Sequence, residues 1–341
     1  MDDADAMAMM MADATVDSDQ FLPDEIAIAA QDGDVYLVDE WLRAGGPVDA
    51  KDSDDQFCLL QLGVMVQDVA VVRCVIAHGA DVNRRDDYIP HLNTPLALCL
   101  KSMESRGDSA CCYAMLEAGA RVKPSDLLTA AASCSEEIVG EVLRRGGDVH
   151  YAGWGIAWTS MHAAAIRGNT GVITLLLKHG ARVDYLSSDD GRSPLMVAAE
   201  DTRLPNDQLG NHQTCATMRL LLAHGADLRA VNIYNRTARD FAVSLQTSME
   251  SHLNAAREYE AQEARAKFLK AASVVALFDE IYAAGSWKRY ANEPRVQLLM
   301  LRCLCAKGRA APSPGMFANL LALPTAVFWS VLKCWRTSRD A

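Results

Sequence analysis

The chain has 341 residues, of which 50% are apolar and 6% aromatic, and its formal net charge is −11. Residues 265–341 carry twelve basic and four acidic side chains, so the preceding part of the chain is strongly acidic. An acidic body argues against a nucleic-acid partner, because neutralised phosphates supply much of that affinity. No run of about eighteen apolar residues is present, which argues against a membrane-spanning helix.

The chain starts with a Met-, Ala- and Asp-rich stretch, and residues 1–20 are predicted to form a disordered acidic leader. This stretch lacks the basic region that opens a secretory signal peptide. The ten cysteines therefore indicate a reducing compartment. We expect an intracellular protein of the cytoplasm or the nucleus.

A glycine follows a helical Leu/Val-rich pair six times along the chain, usually with Ala, Asp or Asn after it. Neighbouring copies are 27 to 45 residues apart, close to the period of about 33 residues that is typical of stacked helix–turn–helix units. Each glycine is predicted to adopt a left-handed conformation and to end a helix. The six glycines are Gly45, Gly79, Gly119, Gly146, Gly180 and Gly225.

The start of each unit supports the same period. Residues 159–165 read Thr-Ser-Met-His-Ala-Ala-Ala, residues 193–199 read Ser-Pro-Leu-Met-Val-Ala-Ala, and residues 94–98 read Thr-Pro-Leu-Ala-Leu. These segments resemble the Thr-Pro-Leu-His-x-Ala-Ala pattern of the ankyrin-repeat family. The resemblance implies an all-α ankyrin-repeat solenoid of stacked helix–turn–helix units with hairpin fingers, followed by a helical C-terminal cap. The array is assigned to residues 21–245, with six repeats and a partial seventh that begins at Asn235.

Three units depart from the regular length, and the third carries extra residues around Lys101–Ser109. The fourth is about six residues short between Gly119 and Ser125, so we expect it to lack its hairpin finger. The sixth carries a polar insertion at residues 201–211, which is predicted to extend as a surface loop.

The remainder is divided into a long capping helix at 246–285, read most clearly from Ser251 to Ala284, and a helical block at 286–341. The block partly resembles a suppressor-of-cytokine-signalling box. Leu301 and Cys305 match its elongin-binding helix, and Leu323, Pro324 and Val327 match its cullin-facing segment. A leucine and proline before an apolar helix also resemble the start of an F-box, here a truncated one. The alternative is a helical cap that covers the last repeat.

Catalytic chemistry is not indicated. His162 lies at the family's Thr-Pro-Leu-His position, where the imidazole is expected to bond neighbouring turns. Cys303 and Cys305 lack a second Cys or His pair at zinc spacing, so packed thiols are favoured over a metal site. No phosphate loop, nucleophile elbow or dinucleotide fingerprint is present. We therefore predict no enzyme, no cofactor and no metal.

The resemblance implies a protein–protein interaction scaffold that binds its partner through the finger tips and the inner-helix face. The alternative is a substrate receptor of a cullin-RING ubiquitin ligase with elongin- and cullin-type partners. Aromatic and arginine side chains at finger tips are good anchors for a partner. The ambiguous one is Trp154, which either binds the partner or packs sideways on the adjoining finger. The predicted finger residues are Lys51, Asp52, Arg84, Arg85, Tyr88, Tyr151, Trp154, Trp158, Tyr185 and Tyr234.

Overall fold

The structure is a computed structural model, and it describes residues 21–52, 57–85, 94–106, 109–153, 157–200, 214–257, 260–294 and 297. The chain divides into two compact units, residues 1–151 and residues 152–341. In the described ranges the regular structure is helical, with isolated β-bridges but no strand.

The first unit contains four helix pairs. In chain order they are α1 (Asp24–Asp32) and α2 (Val35–Arg43), α3 (Leu59–Met65) and α4 (Val69–Ala77), α5 (Pro95–Arg106) and α6 (Ala110–Glu117), and α7 (Asp126–Ser133) and α8 (Glu136–Arg144).

The described residues of the second unit form three helix pairs. They are α9 (Ser160–Arg167) and α10 (Thr170–Lys178), α11 (Pro194–Ala199) and α12 (Thr214–Ala223), and the longer α13 (Ala238–Ala255) and α14 (Ala261–Ala283). A further helical stretch is described at 287–294.

Within each unit, first helices pack on first helices and second helices on second helices. In the first unit α1, α3, α5 and α7 form one row, and α2, α4 and α6 form the other. In the second unit the rows are α9, α11 and α13, and α10, α12 and α14. The predicted fold class, an all-α ankyrin-repeat stack, is confirmed.

Local sequence signals explain the helix ends. All six repeat glycines have a φ between +85° and +99°, the left-handed region predicted for them. Pro95 and Pro194 occupy first helical positions, where proline's missing N–H costs nothing. Ser193 Oγ accepts the Met196 N–H at 3.4 Å, and Thr94 Oγ1 accepts that of Ala97 at the same distance. The ends of the repeat helices thus follow from backbone preferences of residues that can be recognised in the sequence.

The single long helix predicted from Ser251 to Ala284 is wrong. The chain leaves α13 at Ala255 and reverses, since Arg239 at the start of α13 donates to Asp279 near the end of α14 at 2.8 Å. The reversal lets Phe278 and its apolar neighbours on α14 become buried, whereas one straight helix would leave that face unpaired. The hairpin therefore extends both helix rows of the second unit as a further pair. The domain boundaries given above stay predictions.

The short fourth unit matches its expected form. The connection from Ala120 to Ser125 is compact, and the Lys123 N–H donates to Asp126 Oδ2 at 2.7 Å, which closes the turn before α7. Burial raises the pKa of the Asp126 carboxyl.

The core of the first unit contains a group of thiols. Cys99, Cys111, Cys112 and Cys134 are buried, and the Cys99 and Cys112 sulfurs are 3.0 Å apart. Both Cys111 and Cys112 thus belong to the core of this unit. In the described part of the chain, no helix is long and apolar enough to cross a membrane.

Candidate partner-binding surface

Each described finger is closed by a backbone hydrogen bond. Asp52 N donates to Phe57 O at 2.9 Å, Gly153 N to Trp158 O at 2.8 Å, Ser187 N to Arg192 O at 2.9 Å, and Asn232 N to Arg236 O at 3.0 Å. These bonds join the two arms of each finger. At residues 187–192 and 232–236, where the residues between the arms are also described, they hold the tip in place before a partner arrives.

In the first unit, most predicted finger residues serve the finger itself. Lys51 is half-buried and forms bridges with Phe21 and Cys58. Asp52 Oδ1 accepts the Phe57 N–H at 3.2 Å. Arg84 Nη1 donates to Asp49 O at 2.6 Å.

Arg85 differs from these residues because it is exposed. Binding by Lys51, Asp52, Arg84 and Arg85 stays a prediction, and three of the four already have partners within the fold.

Two predicted aromatic residues in the second unit pack around a buried histidine. The His162 ring is 6.0 Å from Trp158 in a stacked arrangement and 6.2 Å from Tyr185 in an edge arrangement. Thr159 N donates to His162 Nδ1 at 3.2 Å, so Nδ1 accepts and Nε2 carries the hydrogen given to Arg192 O at 3.1 Å. Burial lowers the pKa of His162, which fits this neutral form. The predicted turn-bonding role of His162 agrees with these contacts.

Trp158 and Tyr185 are half-buried on that histidine, and Tyr151 is half-buried in the first unit. A role of these three aromatic residues in partner binding stays a prediction.

The finger around residues 185–192 and the finger around residues 231–236 are called the fifth and the sixth, after the repeats that they follow. The base of each is held by side-chain hydrogen bonds. Ser187 Oγ donates to Asp190 Oδ1 at 2.7 Å and accepts from Arg192 N at 2.9 Å. In the sixth finger, Asn232 Oδ1 accepts both the Tyr234 N–H at 3.1 Å and the Arg236 N–H at 2.9 Å. Ile233 N donates to Asp190 O at 3.1 Å, which ties one finger to the other.

These two fingers carry exposed apolar side chains at their tips. Tyr234 is 69% exposed and Ile233 is 64% exposed, with Leu186 at 47% and Val231 at 44%. Tyr234 is among the anchors predicted from the sequence. Leu186, Val231 and Ile233 are not, because the anchors expected at finger tips are mainly aromatic and charged side chains. An aliphatic residue between turn-forming residues, as in Val-Asn-Ile-Tyr-Asn at 231–235, is the signal that could have found them.

Several predicted site residues lie outside the described part of the chain. They are Tyr88, Trp154, Leu301, Cys305, Leu323, Pro324 and Val327.

The structure also brings together three side chains with metal-ligand donor atoms that the sequence does not predict as a site. Asp39, Cys74 and His78 bring an oxygen, a sulfur and a nitrogen within 4.8 Å of one another. Asp39 precedes Cys74 by 35 residues and His78 by 39. Residues this far apart do not form a short sequence motif, so the sequence alone does not indicate that the three side chains meet.

Comparisons with known proteins support the repeat assignment. A family model described as ankyrin repeats in three copies matches residues 127–206, and a single ankyrin-repeat model matches residues 190–233. The human ankyrin repeat and SOCS box protein 6 is 29% identical over 209 residues, which are 58% of this chain and 42% of that protein. The putative ankyrin repeat protein YahD of Escherichia coli (strain K12) is 26% identical over 190 residues, which are 52% of this chain and 90% of that one.

A solved structure gives the same result for the fold. The crystal structure of the human ASB11 ankyrin repeat domain superposes with a TM-score of 0.50 at 21% identity, over 63% of this chain and 90% of that chain. The chain thus spans less than half the length of the human curated relative and most of the solved ankyrin domain.

Proposed function

Because this chain is an ankyrin-repeat protein, we propose that it is a non-catalytic scaffold that binds a partner protein through the tips of its fifth and sixth fingers. Stacked repeats present an extended surface, and their surface residues decide what is bound. The inner-helix face is the second part of the proposed surface.

The observation that carries this proposal is the exposure of Ile233 and Tyr234 on a hydrogen-bonded finger. Large apolar side chains at a tip contribute nothing to the core when they are more than 60% exposed, as both are. Tyrosine offers a large contact area at low entropic cost, and tyrosine is enriched among residues that dominate binding energy.

The finger is also ready to bind. Asn232 is buried, and its side-chain oxygen holds two backbone N–H groups on either side of the tip. A loop that is already ordered loses little conformational entropy on binding, and this raises affinity. We infer that the partner has an apolar pocket that receives Tyr234 and Ile233.

A pull-down from cell lysate followed by mass spectrometry, with the full chain as bait, tests this proposal. Partners captured by the wild-type chain should be lost or reduced by about tenfold or more with Tyr234→Ala or Ile233→Ser, as expected for residues worth more than about 1.4 kcal/mol. Tyr36→Ala is the matched control, because Tyr36 is 76% exposed on α2 and lies outside every finger. Equal capture by all four chains would count against the finger surface.

A second candidate is a substrate receptor of a cullin-RING ubiquitin ligase, in which the repeats select and the C-terminal block recruits. Two observations favour it: one relative is named an ankyrin repeat and SOCS box protein, and Leu301, Cys305, Leu323, Pro324 and Val327 match that box in order. In this scheme the Leu301 and Cys305 side chains together fill one apolar pocket of the adaptor, since residues four apart share a helix face.

Deletion of residues 295–341 separates recruitment from capping. If the block recruits, the deletion abolishes co-purification of elongin and cullin subunits and leaves capture of other partners intact. If the block is a cap, the shortened chain loses solubility or unfolds from that end. Leu301→Ala combined with Cys305→Ala repeats the test in a full-length chain. Absence of elongin and cullin from the wild-type capture would exclude the receptor function.

We further propose that the scaffold works in the reducing cytoplasm or nucleus. The seven cysteines that the structure describes form no disulfide. Disulfides are rare in such compartments.

A further inference from the structure

A small cluster of metal-binding side chains joins the first two repeats on their second helices. Asp39 lies on α2, and Cys74 and His78 follow each other by one helical turn on and just after α4. Residues at this spacing share a helix face. His78 Nε2 is 2.9 Å from Asp39 Oδ1, and Cys74 Sγ is 3.8 Å from the same oxygen.

The carboxylate in this cluster is held in place by a neighbour. Arg43 Nη2 contacts the other oxygen, Asp39 Oδ2, at 2.7 Å. Oδ1 therefore faces the thiol and the imidazole while Oδ2 is occupied. The Asp39 and His78 side chains are 22% and 28% exposed, so water and ions reach the cluster without crossing the core.

We propose that Asp39, Cys74 and His78 form a zinc-binding site that links the first repeat to the second. Thiolate, imidazole and carboxylate are the three ligand types that proteins use for Zn²⁺. Tetrahedral zinc with ligands at about 2.0–2.3 Å places its donor atoms about 3.3–3.6 Å from one another. The separations of 2.9 and 3.8 Å lie on either side of that value, and the sulfur and the imidazole nitrogen are within 4.8 Å of each other. Rotation of the three side chains must close the remaining difference.

The donor set also indicates what kind of zinc site this is. Three protein ligands leave one of four positions for water, as in sites that keep an open position, rather than the four protein ligands of a closed structural site. Among the described residues, this is the one group in which three such side chains converge. The bound ion acts as an exchangeable clamp between α2 and α4, and it does not depend on the proposed partner surface.

Binding of the zinc ion is coupled to the displacement of protons from its ligands. In the metal-free chain Cys74 Sγ and His78 Nε2 both face Asp39 Oδ1, with Nε2 as a hydrogen-bond donor to the carboxylate. Binding of Zn²⁺ replaces the thiol proton by a sulfur–zinc bond and releases that proton to solvent as H⁺. The hydrogen on His78 Nε2 moves to Nδ1, so that Nε2 can bind the ion, and no oxidation state changes.

Cobalt titration of the full chain, after removal of metal and under a reductant without thiol groups, tests the site. Co²⁺ reports thiolate coordination through its charge-transfer absorption, and Zn²⁺ should displace it. Cys74→Ser and His78→Gln should each weaken the cobalt site by more than about 100-fold, since even groups that only orient metal ligands contribute about 10- to 100-fold. Zn²⁺ should raise the melting temperature of the wild-type chain and leave that of both variants unchanged.

Two control variants match these substitutions. Cys215→Ser removes a half-buried cysteine of α12, and His224→Gln removes the histidine that precedes Gly225 as His78 precedes Gly79. Both controls should bind cobalt as the wild-type chain does. They also account for any binding by other thiols of the chain, because only the difference between variants is used.

Circular dichroism melting of the metal-free variants shows whether each one folds. If only one of Cys74→Ser and His78→Gln folds, that variant alone is enough to test the site. A wild-type chain without the charge-transfer band would overturn the zinc site. So would equal spectra for Cys74→Ser and Cys215→Ser. In both cases the cluster would be an ion pair between Asp39 and His78 with a neighbouring thiol.

Discussion

The fingers of the two units use their side chains in opposite ways. In the first unit, Asp52 and Arg84 bond backbone groups of their own or neighbouring fingers. In the second unit, buried polar residues such as Asn232 bond the backbone of the finger instead. The Ile233 and Tyr234 side chains face solvent. Residue type at a tip is therefore a poor guide to binding. What matters is whether another residue already stabilises the loop.

The interiors of the two units also differ. The first unit packs small thiols, with the Cys112 sulfur 3.3 Å from that of Met103. The second unit instead contains Phe241, whose ring lies under two guanidinium groups, Arg236 at 4.2 Å and Arg192 at 5.3 Å. Among the described residues, the buried thiols are thus a feature of the first unit, and a buried ring beneath two guanidinium groups is a feature of the second.

The largest predicted effect follows from that ring. Phe241→Ala should destabilise the protein by about 3–5 kcal/mol, because it removes a side chain that is 3% exposed and leaves a cavity. Hydrogen exchange should accelerate in α11, α13 and α14 more than in α3 to α6, since a repeat contacts mainly its neighbours.

Met115→Ala gives the reverse comparison in the first unit, where Met115 is fully buried. Its exchange effect should concentrate in α4 to α6. Uniform acceleration along the chain in either variant would mean that the two units unfold as one, and the comparison between them would lose its energetic meaning.

A smaller effect should be equal in both units. Gly79→Val and Gly180→Val should each cost more than about 1 kcal/mol, because a β-branched residue is strained at φ values of +92° and +85°. A Cβ added at either glycine would meet no atom within 4 Å, so backbone strain is the cause and crowding is not. Thermal melting measures both.

Gly140→Ala serves as the reference for these glycine variants. Gly140 lies inside α8, where alanine is favoured by up to about 1 kcal/mol. A melting temperature unchanged in Gly79→Val but lowered in Gly180→Val would show that the repeat joints of the two units are not equivalent.

The smallest predicted effect is a pH dependence confined to the second unit. Burial lowers the pKa of His162, so below the ordinary histidine value of about 6.5 the unfolded chain takes up a proton that the folded chain does not. Stability should therefore fall as the pH is lowered from about 7.5 to about 5.5.

His162→Gln should reduce that slope, although it will also lower stability at every pH because Arg192 O loses its donor. Urea unfolding at several pH values separates the slope from the offset. Parallel curves for the two chains would contradict a neutral, buried His162.

Local backbone signals explain why most of the fold could be predicted. Glycine at a left-handed position, proline at a first helical turn and a Ser or Thr cap act within a few residues, so six helix pairs follow from the sequence. The reversal after Ala255 has no Gly or Pro to mark it. It results from packing of α14 on α13 and α12, which no local pattern records.

The candidate sites were harder to predict for a similar reason. Tyr185 and Tyr234 are both tyrosines of fingers, yet one packs against His162 and the other is 69% exposed. Likewise, the cluster around Asp39 depends on the stacking of α2 on α4. Contacts between repeats decide these properties, whereas the repeat motif records only contacts within one.

The buried thiols of the third and fourth repeats have a practical consequence. A cysteine that alkylating reagents cannot reach in the native chain reacts only when its helix pair opens. Cys99, Cys111, Cys112 and Cys134 are at most 5% exposed. Their rates of modification, measured by mass spectrometry, would thus report how fast this part of the stack opens, with no added probe. The same rates measured with saturating zinc would show whether an ion bound between α2 and α4 also slows the opening of the third and fourth repeats.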